Sequence, residues 1–276
     1  MSGEPMSQNN SFIRGLKQAC VDVVEGAGLY KTWGFLAYQD VVARYRRSLF
    51  GPFWISAGML TTAAALALVF STIFRTSLTE FLPFVVSGLV VFTFIGVPFT
   101  EGGDVYLQAA STIKAYPLPY SFHIFRLVAR NIVVLGHNLI VFAAVKLIFA
   151  HNLIIHPQVV LGLILTSVFV SAASLVLGVI GARFKDVRLL VPFLWTIVFY
   201  LTPVIWKTSA ILPSDPRTFI FHYNPFYYLL VTVRDPLLGI FVPWHMFGVA
   251  LLIDIATVGI AITALGTFRK RIALWV

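Results

Sequence analysis

Charged residues are scarce in this sequence, and cysteine is nearly absent. Only 11% of the 276 residues are Asp, Glu, Lys or Arg, whereas 59% are hydrophobic and the mean hydropathy is +0.89. A soluble domain carries about 25% charged residues, so the composition excludes a soluble globular protein. A single cysteine, Cys20, excludes an intramolecular disulfide bond and says nothing about the redox compartment.

The motifs of common catalytic and metal sites are also missing. The sequence has no G-x-x-x-x-G-K-[ST] loop, no H-E-x-x-H, no G-x-S-x-G and no Cys/His spacing typical of zinc sites. We therefore expect no catalytic residue, no metal and no cofactor in this chain. The net charge of +9 comes from basic residues at the ends of apolar segments, which predicts attraction to anionic lipid and no binding of nucleic acid. Asp22 and Glu25 interrupt the first 28 residues, so we expect no signal peptide.

Long apolar segments are what the sequence does contain. Six of them approach or exceed the ~20 residues that cross a bilayer as a helix. They are residues 52–74, 81–100, 127–150, 157–182, 189–206 and 246–267. The sequence thus predicts an all-α integral membrane protein with six transmembrane helices. Most of the 20 Lys and Arg residues flank these segments on the side of the N-terminus, so both termini are expected in the cytoplasm.

Arginines gather where two of these spans begin. The segment Gly34–Leu49 is amphipathic at the helical period and predicts a helix in the membrane interface, ending on a basic cluster before Gly51-Pro52. One interpretation is that arginines at the start of the third span snorkel to the interface. The other is an anionic-headgroup site, since guanidinium groups suit pyrophosphate. The five arginines are Arg44, Arg46, Arg47, Arg126 and Arg130.

Aromatic residues recur on one face of the fifth span, at intervals of four, seven and eleven residues. This pattern has two interpretations: packing against lipid with an interfacial aromatic belt, or a pore wall on which sugar rings slide, faced by aromatics of the first span. The residues concerned are Trp195, Phe199 and Trp206 of the fifth span and Phe50, Phe53, Trp54, Phe70 and Phe74 of the first.

Two charges, Lys146 and Asp254, lie well inside predicted spans at similar depth. Charges within a membrane are costly and usually paired or functional. We expect an interhelical ion pair, with a proton- or ion-coupling site as the alternative.

Four stretches together resemble the ABC-2 type permeases that export polysaccharides, most closely the membrane subunit of O-antigen exporters. The resemblance covers the chain from about Leu29, so residues 29–276 would form one ABC-2 transmembrane domain. Residues 1–28 have no clear counterpart and are expected to be an N-terminal cytoplasmic segment. The stretches are "RYRRSLFGPFW", "IKAYPLPY", "ARFKDVRLLVPFLW" and "HYNPFYYLLVTVRDPLLG".

The resemblance implies partners and parts that composition does not reveal. It implies a homodimer in the bacterial inner membrane, two separate ATPase chains that hold ATP and Mg, and undecaprenyl-pyrophosphate-linked polysaccharide as substrate. It also implies a coupling helix near Ala109–Tyr116 and short re-entrant outer gate helices at Pro213–Tyr223 and Pro225–Val233. The implied coupling residues are Ser111, Lys114 and Tyr116, and the implied gate residues are Tyr223, Asn224, Pro225, Tyr227 and Tyr228.

Other functions remain open at this point. Export of capsular polysaccharide or teichoic acid uses the same kind of permease, and an exporter of a small lipid or drug is a further alternative. A membrane glycosyl- or acyltransferase would need convergent carboxylates or a His/Asp pair at one membrane face. The one close acidic pair on the cytoplasmic side, Glu101 and Asp104, is interpreted as helix capping.

Overall fold

The computed structural model describes residues 5–46, 51, 53–208 and 215–276, and its regular structure there is entirely helical. Two 3-10 helices, Gly102–Asp104 and Pro216–Thr218, accompany thirteen α-helices. These are α1 (Pro5–Gly28), α2 (Tyr30–Tyr45), α3 (Phe53–Ile73), α4 (Leu78–Ile95), α5 (Val97–Thr100), α6 (Val105–Gln108), α7 (Ala110–Ala115), α8 (Tyr120–Ala150), α9 (Gln158–Arg183), α10 (Val187–Leu201), α11 (Phe219–His222), α12 (Pro225–Leu237) and α13 (Trp244–Trp275).

Within the described ranges, five helices are long and apolar enough to cross a membrane: α3, α4, α8, α9 and α13. They correspond to five of the six predicted spans. The remaining span, predicted at 189–206, contains α10, which has 15 residues and ends at Leu201. Thr202 is extended because it precedes Pro203, which disfavours the helical conformation in the residue before it.

Helix α4 forms the centre of the bundle. Nearly every side chain from Phe81 to Ile95 is buried, against α3, α8 and α12. At Gly88 the backbone of the segment after α10 comes so close that an added Cβ would lie 2.6 Å from the Val204 carbonyl oxygen. The core therefore tolerates no side chain at this crossing.

The two ends of the bundle differ in composition. We call one the basic end: it carries α1, α2, the short helices α5–α7 and the last turns of α9 and α13. The opposite end carries α11, α12 and the connection between α8 and α9. At the basic end, Lys114 Nζ donates to the Val276 carbonyl oxygen at 2.6 Å and so joins α7 to the end of α13.

Helix α2 replaces the interface helix predicted at Gly34–Leu49. It begins four residues earlier, and Ala37 and Val41 on its apolar face are buried where α2 packs against α8. Tyr38 and Val42, predicted on the same face, are exposed. The helix thus divides its apolar residues between a protein contact and an outer surface.

The first helix, which sequence analysis left unassigned, packs against α13 and α8. Gly15 and Gly266 meet there, and an added Cβ on Gly15 would lie 2.7 Å from the Gly266 carbonyl oxygen. Asp22 is fully buried and accepts hydrogen bonds from the backbone N–H groups of Tyr120 (3.1 Å) and Ser121 (3.0 Å) and from Arg269 Nε (3.0 Å). Its carboxylate therefore satisfies amides of the first turn of α8 that have no partner within that helix.

Trp195 lies in the core of the protomer, whereas the two interpretations of its periodicity placed it against lipid or on a pore wall. Its ring is stacked between Phe92 (centroids 4.3 Å apart, planes 16° apart) and Phe99 (4.7 Å, 10°). Gly96 makes room for the indole, since an added Cβ would lie 2.6 Å from Nε1. Both ring faces are covered within the protomer, so a sugar ring cannot stack on Trp195.

The Asp22 cap predicts a loss of stability when its carboxylate is removed. Asp22→Ala should lower the free energy of unfolding by about 1–2 kcal/mol, because the first turn of α8 loses its cap. Thermal unfolding in detergent would measure this. Glu25→Gln, which changes an exposed carboxylate on the same helix, should leave the transition unmoved; equal shifts in both variants would contradict the capping role.

The stacked ring predicts a larger effect at Trp195. Trp195→Ala should destabilise the protein by about 3–5 kcal/mol, because a buried indole leaves a cavity between two Phe rings. Phe193→Ala is the matched control on the same helix, since Phe193 is 73% exposed. If both substitutions cost the same in denaturant unfolding, Trp195 is not a core residue.

Candidate functional site

A cavity lined mainly by polar residues lies at the basic end, between α2, α8 and the segment from α5 to α7. It has a volume of about 280 Å³ and is called the arginine cavity below. Three of its side chains are guanidinium groups. The lining residues are Asp40, Arg44, Glu101, Val105, Gln108, Ala109, Thr112, His123, Arg126, Leu127 and Arg130.

Two arginines of the cavity are held by carboxylates. Arg126 binds Asp40 with two hydrogen bonds, Nε to Oδ2 at 2.8 Å and Nη2 to Oδ1 at 2.7 Å. Arg130 forms an ion pair with Glu101. Arg44 also faces the cavity and, among the described residues, has no carboxylate partner. Three cations against two carboxylates leave a positive surplus where the cavity opens.

Helical spacing explains how these side chains converge. His123, Leu127 and Arg130 recur on one face of α8, with Arg126 beside them, and Asp40 and Arg44 are four residues apart on α2. The structure thus brings together three of the five arginines predicted as headgroup ligands. Arg46 is exposed at the C-cap of α2 and does not line the cavity, while Arg47 lies outside the described residues.

The carboxylates were not recognised as part of this site from the sequence. Glu101 and Asp104 were interpreted as helix caps, but neither side chain caps a helix. Glu101 binds Arg130, and Asp104 lies 3.5 Å from Arg188. The sequence did offer one signal for these ion pairs: each acid lies in a segment that is predicted to be cytoplasmic, and arginines are concentrated in the same predicted segments.

Helix α7 closes one side of the arginine cavity. Thr112 lines it from α7, and Gln108 and Ala109 line it from the preceding turn. The residues predicted for coupling, Ser111, Lys114 and Tyr116, are exposed on the outside. One two-turn helix therefore contacts the cavity with one face and the exterior with another.

A second cavity of about 340 Å³ adjoins the first and lies between α3, α4 and α8. Glu101 lines both cavities. We call this space the threonine groove after its polar lining. The polar residues are Thr62, Thr93, Thr100, Glu101, Asn131 and Asn138.

The predicted ion pair between Lys146 and Asp254 is not formed. Lys146 Nζ donates to the carbonyl oxygens of Ile154 and of Leu237, the latter at 2.9 Å. Asp254 is buried, and within the described part of the chain neither carboxylate oxygen has a hydrogen-bond partner. The ion-pair prediction is therefore wrong: Lys146 donates instead to backbone carbonyls of the α8–α9 connection and of the end of α12.

The residues predicted for an outer gate cluster at the opposite end. Asn224 accepts from Phe226 N at 3.0 Å and donates to Thr202 Oγ1 at 2.9 Å, so it caps α12 and joins it to the end of α10. Pro225 is the first residue of α12, Tyr228 Oη donates to the His222 carbonyl at 2.9 Å, and Tyr223 is 86% exposed.

The rest of the gate segment is partly outside the described residues. The first gate helix was predicted from Pro213 to Tyr223; residues 213 and 214 lie outside the described residues, and the described part contains a 3-10 turn followed by α11. The ring of Tyr227 lies 5.4 Å from that of Phe221. Near its start, the Arg217 side chain donates to Asp215 and lowers the pKa of that carboxyl to about 2.

Some of the aromatics predicted to face each other do meet. Phe70, Phe74 and Trp206 line one cavity of about 340 Å³ at the opposite end. Phe199 contacts Phe92 at 5.3 Å, while Phe53 and Trp54 are exposed at the start of α3. Phe50 lies outside the described residues. No group of three or more potential metal ligands occurs in the ranges that the structure describes.

Comparison with known proteins agrees with the motifs. No family model matches the chain. It is 22% identical over 203 residues to the O-antigen export system permease protein RfbA of Klebsiella pneumoniae, covering 71% of this chain and 76% of that protein. It is 21% identical to the protein of the same name from Myxococcus xanthus, covering 72% and 77%. The resemblance inferred from the sequence is thereby confirmed: over most of its length this chain is similar to the permease subunits of O-antigen export systems.

Proposed function

We propose that this protein is the permease subunit of an ATP-driven exporter that moves undecaprenyl-pyrophosphate-linked polysaccharide, O-antigen, from the cytoplasm to the periplasm. The similarity to O-antigen export permeases supports the class of transporter and substrate. The arginine cavity is the observation that carries the assignment to a lipid pyrophosphate. The chain itself performs no bond chemistry, and ATP and Mg are held by two separate ATPase chains.

The basic end faces the cytoplasm in this proposal. Exposed cations on α1 and α2, among them Arg14, Lys17 and Lys31, then lie against the anionic inner leaflet, and residues 1–28 belong to the cytoplasmic side. α10 is the sixth span of an inner-membrane protein. Its 15 residues reach about 22 Å, and the buried non-helical residues 202–205 continue toward the far side of a hydrocarbon core about 30 Å thick.

The arginine cavity suits a pyrophosphate by charge and by geometry. Guanidinium groups bind phosphate oxygens with two hydrogen bonds at once, and here they project from two helices. Arg44 offers an unpaired cation, and Arg126 and Arg130 become available when the headgroup replaces Asp40 or Glu101. The exchange of one anion for another keeps each arginine paired, so it avoids the cost of leaving a partly buried guanidinium without a counter-charge.

The ATPase partner would act through α7. Ser111, Lys114 and Tyr116 project outward from the basic end, while Thr112 reaches the arginine cavity. A movement of α7 on nucleotide binding would therefore change the shape of the headgroup site directly.

A second copy of the chain would complete the conduit. α3 and α10 carry large exposed apolar side chains, including Leu68, Val69, Phe193 and Ile197. The cavity lined by Phe70, Phe74 and Trp206 lies between the same two helices, and the gate residues Tyr223 and Asn224 lie at that end. Pairing through α3 and α10 would cover these surfaces and put aromatic rings beside the glycan.

Related functions use the same geometry. Capsular polysaccharide and teichoic acid also travel on lipid-linked carriers, and the cavity does not discriminate among their sugars. A membrane glycosyl- or acyltransferase would need carboxylates free for acid–base work. Asp40 and Glu101 instead bind arginines, which favours the permease.

The basic cluster at the end of α2 provides one prediction. Replacing Arg44, Arg46 and Arg47 together by Gln should strongly reduce export of the lipid-linked glycan without preventing membrane insertion, because the headgroup loses Arg44 of the cavity and the basic residues that follow it in the sequence. Glycan reaching the periplasm is measured against the amount of protein in the membrane. The matched control is Arg14→Gln, Lys17→Gln and Lys31→Gln, which removes the same charge outside the cavity. Unchanged export in the first variant would exclude the headgroup role.

The ion pair between Glu101 and Arg130 provides a second prediction: removing the carboxylate and removing the arginine should change ligand affinity in opposite directions. Glu101→Gln should tighten binding of undecaprenyl pyrophosphate about tenfold, since Arg130 loses its competitor, whereas Arg130→Gln should weaken it by a similar factor. Affinity is measured with the full-length protein in nanodiscs. Asp104→Asn, which releases Arg188 outside the cavity, should have no effect. A purely structural ion pair would weaken binding in both variants.

A further inference from the structure

The threonine groove places polar groups at a depth where the surrounding helices are apolar. Thr62 lies near the middle of α3, Thr93 in the last turns of α4, and Asn131 and Asn138 on either side of the middle of α8. All three helices have the length and composition of membrane spans. The groove therefore runs from the basic end toward the middle of the bundle with hydroxyl and amide groups along its wall.

Two buried amides in the groove have unused hydrogen-bonding atoms. Asn138, 4% exposed, accepts from Ser56 Oγ at 2.8 Å, and among the described residues its Nδ2 has no partner. Asn131, 9% exposed, donates to the Leu127 carbonyl at 2.9 Å, and within the same ranges its Oδ1 has none. In the described part of the chain, neither atom is one of the enclosed polar atoms without a partner, so both face the open space of the groove. Each side chain therefore leaves one donor or acceptor for an occupant of the groove.

The threonine hydroxyls present acceptors to the same space. Thr62 Oγ1 donates to the Gly58 carbonyl at 3.0 Å, and Thr93 Oγ1 donates to the Leu89 carbonyl at 2.8 Å. Each hydroxyl proton is thus used within its own helix, and the oxygen lone pairs remain available. An acyl chain cannot use such groups. A ligand rich in hydroxyls can donate to the threonines and to Asn131 and accept from Asn138.

The groove begins where the arginine cavity ends. Glu101 lines both, and its ion pair with Arg130 stands at their junction. From Asn131 to Asn138 the helix rises about 10 Å, enough for one or two pyranose rings. A ligand whose pyrophosphate occupied the arginines would place the sugar attached to it at the mouth of the groove.

We propose that the threonine groove is a binding site for the sugar residues next to the pyrophosphate of the lipid-linked substrate. This inference rests on the proposed function and assigns a sugar subsite within one protomer. The groove carries hydroxyls and amides among apolar side chains such as Leu89, Phe94 and Leu135, and it is separate from the aromatic residues of α10. Sugar recognition by hydrogen bonds precedes passage along any aromatic surface.

The test compares two probes on the full-length protein in nanodiscs: undecaprenyl pyrophosphate alone, and the same lipid carrying one N-acetylglucosamine. Wild-type protein should bind the sugar-bearing lipid more tightly. The double variant Thr62→Val, Thr93→Val should lose about two- to tenfold of that affinity per hydroxyl removed, with affinity for the bare lipid unchanged. Asn131→Leu should act in the same direction, so the test does not depend on one variant.

The matched control is Thr61→Val, Thr72→Val, on the same helix as Thr62. Both hydroxyls bond to their own helix, at 2.9 Å to Ala57 and 3.1 Å to Leu68, and neither residue lines the groove. This control should bind both probes as the wild type does. Thermal unfolding of each variant verifies that the fold is intact.

The outcomes separate the inference from the proposed function. If the wild type binds both lipids equally, or if the groove variants weaken both to the same extent, the sugar subsite is wrong and the headgroup site stands. If the wild type binds neither lipid, the proposed function fails and the inference fails with it. If the groove variants lose affinity only for the sugar-bearing lipid, the result supports both the sugar subsite and the proposed function.

Discussion

Ion pairs across helices hold the basic end of this protein together. In each of four pairs, a carboxylate on one element meets an arginine on another. Charge in apolar surroundings is costly unless it is paired, so these contacts specify which elements meet at the basic end. Together with the apolar packing of residues such as Val41 and Tyr106, they hold α2 and the segment after α4 against α8, where the arginine cavity lies. The pairs are Asp22 with Arg269, Asp40 with Arg126, Glu101 with Arg130, and Asp104 with Arg188.

The long helices could be predicted from the sequence because runs without charge have few alternatives in a membrane. The ends of these helices were harder to predict. α8 begins at Tyr120, seven residues before the predicted span, because hydropathy alone places the polar residues Ser121 and His123 outside the bilayer and so predicts a later start. In the structure both are buried: Ser121 hydrogen-bonds to Asp22 of α1, and His123 lines the arginine cavity. A sequence pattern registers polarity but not the neighbour that satisfies it.

The same limit applies to the candidate site. Helical periodicity correctly put Arg126 and Arg130 together on one face, and it put Trp195 on a face with Phe199. It does not reveal what covers a face: carboxylates from two other segments in the first case, two phenylalanine rings in the second. Lys146 is a third example: its position in the sequence predicted an ion pair with Asp254, but its partner at the end of α12 is a backbone carbonyl. In all three cases, tertiary contacts determine the partner of the side chain, and these contacts are not visible in the helical period.

Helix α7 is only six residues long, yet it touches the arginine cavity through Thr112 and the exterior through Ser111 and Lys114. A rigid unit this small cannot shift one face without the other. Binding free energies at two linked surfaces are reciprocal. If a protein bound to the outer face of α7 changes the affinity of the cavity for its ligand by some factor, the ligand changes the affinity of α7 for that protein by the same factor. A cavity with bound ligand would therefore recruit or retain the partner.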